Sequence, residues 1–66
     1  MAHWPRIKLG YDSDDNLVYR GLHANMNAST SDGNWMIFKY AYDSSDNITD
    51  IKGPVKGSWE DREKLF

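Results

Sequence analysis

The chain contains no cysteine, so neither a disulfide nor a thiolate-bound zinc can staple its fold. Its two histidines, His3 and His23, cannot complete a zinc site without carboxylates. No apolar run approaches the roughly 20 residues that a membrane-spanning helix needs. The opening stretch "MAHWPRIKLG" has bases but no apolar core, which argues against a signal peptide and for a chain that starts near Met1 and folds in a cytosol. On that expectation the sequons Asn27-Ala28-Ser29 and Asn47-Ile48-Thr49 carry no meaning. Basic charge is also scarce: eight Lys and Arg stand against ten Asp and Glu, for a net charge of −2. Lys52 and Lys56 lie near one another, yet Asp50, Glu60 and Asp61 surround them, so no concentrated basic face for phosphates is visible.

Catalytic signatures are missing as well. Gly53-Pro54-Val55-Lys56-Gly57 lacks the length and the trailing Lys-Ser/Thr of a phosphate loop. No glycine-framed serine forms a nucleophile elbow, and ten acids can be paired in too many ways to mark a glycosidase. A cleft of catalytic size is hard to build in so small a domain. The expectation is a protein that is not an enzyme, with no catalytic residue, metal or cofactor.

What the chain does have is aromatics: three Trp, four Tyr and two Phe, 14% of the residues. A disordered acidic tail would be poor in them. The 66 residues make one small domain, and a chain of this size buries only about 60% of the surface that its unfolded form exposes. Small domains supplement such a core with disulfides, a metal or a partner. With the first two set aside, association with other chains is the first functional inference.

"WMIFKYAY", Trp35 to Tyr42, is dense in strand formers and flanked by turn residues. Alternation puts Met36, Phe38, Tyr40 and Tyr42 on one face and Trp35, Ile37, Lys39 and Ala41 on the other. Large apolar groups on both faces predict a central strand. "IKLGY", "LVYRGLH" and "ITDIK" supply three more. A phrase is written twice, "YDSDDNLVYRG" from Tyr11 and "YDSSDNITDIKG" from Tyr42. Asp12, Asp14 and Asn16 fit the first three ligand places of an EF-hand loop. That loop also needs Gly at position six and Glu at twelve, where this chain has Leu17 and His23. Asp-Ser-x-Asp-Asn is instead turn chemistry, because Asp and Ser bond nearby amides and Asn tolerates left-handed φ. Two hairpins with one turn formula follow.

Residues 24–34 are small and polar and are expected to form a connecting linker, with an ordered surface loop held by a neighbour as the alternative. Gly53-Pro54 and Gly57 are expected to break regular structure. "SWEDREKLF" predicts a short helix, with Ser58 and Asp61 as a capping pair, Glu60 and Lys64 paired at i, i+4, and Trp59 and Phe66 on one face. So short a helix needs a surface to lie on, either this chain's sheet or a neighbour's. The expected fold is mainly β: a small antiparallel sheet of two hairpins, about four strands, with a short C-terminal helical turn. One rival function stands beside assembly. Trp35, Phe38, Tyr40 and Tyr42 with Lys39 form a candidate stacking platform for single-stranded nucleic acid, and a free-standing module could equally bind a host regulatory protein.

Over its C-terminal half the chain resembles small structural proteins of tailed-bacteriophage virions. These carry Trp-x-Ile-x-(Arg/Lys)-x-x-Tyr, a short turn, a strand, and a terminal Trp-Asp-x-Arg-x-x-Leu-x-Tyr/Phe. The pattern falls here on Trp35, Ile37, Lys39, Tyr42, Asn47, Trp59, Arg62, Leu65 and Phe66. In this chain "KGPVKGS" stands where such proteins often hold Ala-Asp-Gly with further acids, so contacts of those acids are not carried over. The resemblance implies a virion subunit, of the tail or host-attachment region or decorating the capsid. It would be made in the host cytoplasm, with other virion proteins and its own copies as partners. Interfaces favour Trp and Arg anchors. Trp59, Arg62, Leu65, Phe66, Trp4 and Trp35 are therefore the candidate interface residues, with core packing as the alternative for Trp59 and Phe66.

Overall fold

The structure, a computed structural model, describes residues 5–66. Four strands, β1 (Arg6–Tyr11), β2 (Leu17–His23), β3 (Trp35–Tyr42) and β4 (Ile48–Gly57), form one antiparallel sheet in the order β1-β2-β3-β4. A single 3₁₀ turn follows at Trp59–Asp61. The fold is mainly β with a short C-terminal helical turn, as composition and pattern predict. β3 is an inner strand, paired with β2 on one side and β4 on the other.

The repeated phrase folds the same way twice. Asp12 Oδ1 accepts from the amides of Asp14 and Asn16 at 2.8 and 3.0 Å, and Asp43 Oδ1 accepts from those of Ser45 and Asn47 at 2.9 and 3.0 Å. The amides of Asp15 and Asp46 donate to the carbonyls of Asp12 and Asp43, each at 3.1 Å. The left-handed residue is Asp15 in one turn and Asp46 in the other, with φ 62° and 63°. It is thus the Asp before each Asn, and a short polar side chain tolerates that region. Each turn is followed by the same bulge, which leaves Val18 unpaired in β2 and Thr49 in β4. Asn16 Nδ2 donates to Asp46 Oδ1 at 3.0 Å and ties the two turns together. These carboxylates serve as turn formers.

Two expectations are corrected. Gly53-Pro54 does not end β4, which runs through it to Gly57. Ile37 pairs with Val55 and Lys39 with Lys52, so Gly53 and Pro54 together face Phe38 in a bulge. Gly53 has φ +113°, and a Cβ there would meet the Ile37 carbonyl at 2.6 Å, so only glycine fits. β4 is an edge strand, where proline's missing N–H is tolerated and discourages further pairing. The C-terminal helix shrinks to three residues of 3₁₀. Ser58 does cap it, accepting from the Asp61 amide at 3.2 Å. The Glu60–Lys64 pair does not form: Glu60 accepts from the Thr30 hydroxyl at 2.7 Å, and Lys64 Nζ lies 3.7 Å from Asp61. Tertiary contacts outweigh the weak propensity of a nine-residue helix.

Cross-strand partners share a face, so the register sorts the sheet into two sides. Lys8, Gly21, Ile37 and Val55 form one row, with Gly10, Tyr19, Lys39 and Lys52 beside it. Ile7, Leu22, Met36 and Lys56 form a row on the other side, with Leu9, Arg20 and Phe38 beside it.

Candidate functional site

The first face is closed by the chain's own C-terminus. Trp35 and Ile37 are wholly buried, Trp59 is 5% exposed, and Tyr19, Leu65 and Phe66 pack around them. The Trp35 and Trp59 rings are tilted at 6.1 Å, a spacing favourable for aromatic pairs. A Cβ on Gly21 would lie 2.7 Å from the Trp59 ring, and one on Gly57 would lie 2.7 Å from Leu65. The missing side chains are what let the C-terminal segment seat on the strands. Arg62 caps the arrangement, its guanidinium 4.7 Å from the Trp59 ring and 5.6 Å from Tyr19, a cation–π geometry.

Residues 24–34 belong to this closure. They read as a linker in sequence, yet Ala28 is buried. The Trp35 indole N–H donates to the Ser29 carbonyl at 2.9 Å, and the Glu60 amide donates to the Thr30 carbonyl at 3.1 Å. His23 anchors the loop's start. Its Nδ1 accepts from the Asn25 amide at 2.9 Å, which leaves Nε2 to carry the proton in the neutral ring, and Nε2 lies 3.2 Å from Asp32 Oδ1. The Asn34 amide, and after it His23, hold the Asp32 carboxyl below its usual range.

The second face has no cover among the described residues. Ile7, Leu9 and Ile51 are 53%, 48% and 55% exposed, and Met36, Phe38 and Tyr40 are half-buried between them. Arg20 is the charged group nearest its centre, and its guanidinium lies 4.8 Å over the Phe38 ring. Lys56 stands on the same face in the edge strand. No carboxylate lies in the paired rows of this side, whereas the turn acids sit at one end of the sheet. This inverts the usual antiparallel pattern, in which the solvated face is polar.

The sequence-derived candidates divide accordingly. Trp35 and Trp59 lie in this chain's core and keep almost no surface for a partner. Arg62, Leu65 and Phe66 sit half-buried around them. Trp4 lies outside the described residues. The stacking platform is split, because Trp35 and Lys39 face the core side while Phe38 and Tyr40 face the open side. The residues that sequence reasoning passed over are Ile7, Leu9 and Ile51. The signal was present in "RIKLGY", where charged residues alternate with apolar ones. Which set faces solvent is decided by the C-terminus, which seats against Gly10 and so takes the side of Lys8.

Among the described residues there is no pocket and no group of three or more His, Cys, Asp or Glu placed to hold a metal ion. No described helix is long and apolar enough to cross a membrane. No protein-family model, curated protein or solved structure matches this chain.

Proposed function

We propose that the chain is a structural subunit that works by protein–protein assembly, in the particle of a tailed bacteriophage. The observation that carries the assembly role is the uncovered apolar face of the sheet, with Ile7, Leu9 and Ile51 each about half exposed. Exposed apolar side chains gathered on one face of a sheet mark an interaction surface. The virion setting is supported by the C-terminal pattern on Trp35, Ile37, Lys39, Tyr42, Trp59, Arg62, Leu65 and Phe66. The tail or host-attachment region is the favoured place, with capsid decoration as the alternative. The mechanism is adhesion: the open face and the half-exposed Arg62, Leu65 and Phe66 meet neighbouring subunits and water is expelled.

The test is quantitative mass spectrometry of gradient-purified particles from an infection in which this chain is made. The expected result is a fixed copy number per particle, lost when Leu9 and Ile51 are both replaced by Asp. Particles that lack the chain at wild-type infectivity and composition would sink the reading.

A second reading has one observation in its favour: Phe38, Tyr40 and Arg20 share the open face, as a stacking surface for single-stranded nucleic acid would require. The net charge of −2 weighs against it. A gel-shift titration separates the two, since nucleic-acid binding would weaken steeply with salt.

A further inference from the structure

We infer that the occupant of the open face is a second copy of this chain, packed face to face about a twofold axis as a two-sheet sandwich. The inference rests on the assembly role proposed above and names its first partner.

The apolar rows argue for a sheet as the occupant. Ile7, Leu22 and Met36 lie in register across three strands, with Leu9 and Phe38 flanking Arg20 in the next row and Tyr40 and Ile51 beyond it. A twisted sheet presents such rows to another twisted sheet about 10 Å away at a mutual angle of about 30°. The described residues hold one sheet, and a second copy of the chain supplies another of the same shape. A twofold contact requires a self-complementary patch. The apolar residues of these rows meet that requirement, because apolar surface complements itself, while Arg20 and Lys56 of the two copies stand as like charges.

Area points the same way. Four strands spaced about 4.8 Å apart, with six to ten residues each rising about 3.3 Å, give a flat footprint of roughly 500 Å². Protruding side chains raise its accessible area toward the ~800 Å² per partner that standard interfaces bury. A weaker dimer than that of an obligate pair is expected.

Arg20 is the group that tests the choice of occupant. Stacked on Phe38, it is the form of cation that interfaces accommodate, being planar and weakly hydrated. Across a twofold axis the two Arg20 side chains carry like charge, so added salt should leave the dimer unweakened or tighten it. A carboxylate-bearing partner or a nucleic acid would show the opposite trend.

Sedimentation equilibrium of the purified full chain supplies the test, over a wide concentration range and at low and high salt. The expected result is a reversible step from the 7.6 kDa chain to twice that mass. Leu9→Asp or Ile51→Asp should weaken association at least about a hundredfold, since each buries a carboxylate without a partner. Near-UV circular dichroism of the Trp35–Trp59 pair reports on the opposite face and should be unchanged. Should an Asp variant fail to fold, Leu9→Gln and Ile51→Gln supply the milder form of the test. The chain has no cysteine, so a single Tyr40→Cys introduced on the open face supplies the one thiol for a bifunctional maleimide, which should cross-link two chains. A folded chain that stays monomeric at every concentration overturns the proposal. So does a dimer indifferent to Leu9→Asp and Ile51→Asp, because its contact would lie elsewhere. A chain monomeric alone yet present in particles overturns the dimer and leaves the assembly role standing. A face-to-face dimer that never enters particles does the reverse.

Discussion

The two faces of the sheet are built from the same four strands and differ in what covers them. On one side Trp59, Arg62, Leu65 and Phe66 seat on glycines and aromatics, and the face is closed from within the chain. On the other the aliphatic residues of β1 and β4 have no cover among the described residues. The half-buried Arg6 and Lys8 lie on the closed face, while the exposed Ile7 and Leu9 lie on the other. The lesson is that a strand's apolar set need not mark the core its own chain completes. It can mark the surface left for another.

The largest expected effect breaks the closed face. Trp59→Ala should cost about 3–5 kcal/mol. A 66-residue domain holds in total only about 3–10 kcal/mol, so urea titration should find it largely unfolded. Next is Gly21→Ala, whose methyl would overlap the Trp59 ring. Overpacking of this kind costs about 1–3 kcal/mol, and a lowered urea midpoint with an altered near-UV spectrum would show it.

On the open face the same measurements should respond little. Leu9→Asp is expected to change the stability of the dissociated chain by no more than about 0.5 kcal/mol, as for an exposed site. It should, however, abolish any rise of the melting temperature with protein concentration, since only an associating chain shows that rise. A large loss of monomer stability from Leu9→Asp would erase the contrast between the faces.

The smallest effect lies in the turns and is read with pH. The amides of Asn47 and then Ser45 hold the Asp43 carboxyl below its ordinary 3.8, and Asp32 is lowered by Asn34 and His23. A carboxyl depressed in the folded state contributes stability that is fully present above the ordinary value and is lost as pH falls through the folded one. The melting temperature should therefore hold steady above about pH 4 and drop below it. Asp43→Asn keeps an oxygen acceptor but cannot titrate, so its acid-side drop should be shallower than that of the native chain.

Much of the fold is legible in the amino-acid sequence. The duplicated Asp-Ser-x-Asp-Asn phrase carries its own geometry, because an Asp carboxylate bonds amides two and four residues on. Local chemistry of that kind is complete within five residues. The strand bounds of Trp35–Tyr42 and Leu17–His23 agree with composition for a similar reason. Legibility fails where partners are distant in sequence. Residues 24–34 look like a linker because none of their own residues reveals that Trp35 and Glu60 will bond Ser29 and Thr30. Gly53-Pro54 looks like a breaker because a bulge opposite Phe38 is a property of two strands.

By itself, then, the sequence determined the antiparallel hairpins, their turns and the scarcity of apolar material for a second layer. Only the tertiary structure decided which side of the sheet Trp59 and Leu65 would take. That choice depends on Gly21 and Gly57 flanking β3 from the strands on either side of it, and strand neighbours are set by the folded register. With that side filled, Ile7, Leu9 and Ile51 became the outer surface, since alternate residues of a strand cannot share a face.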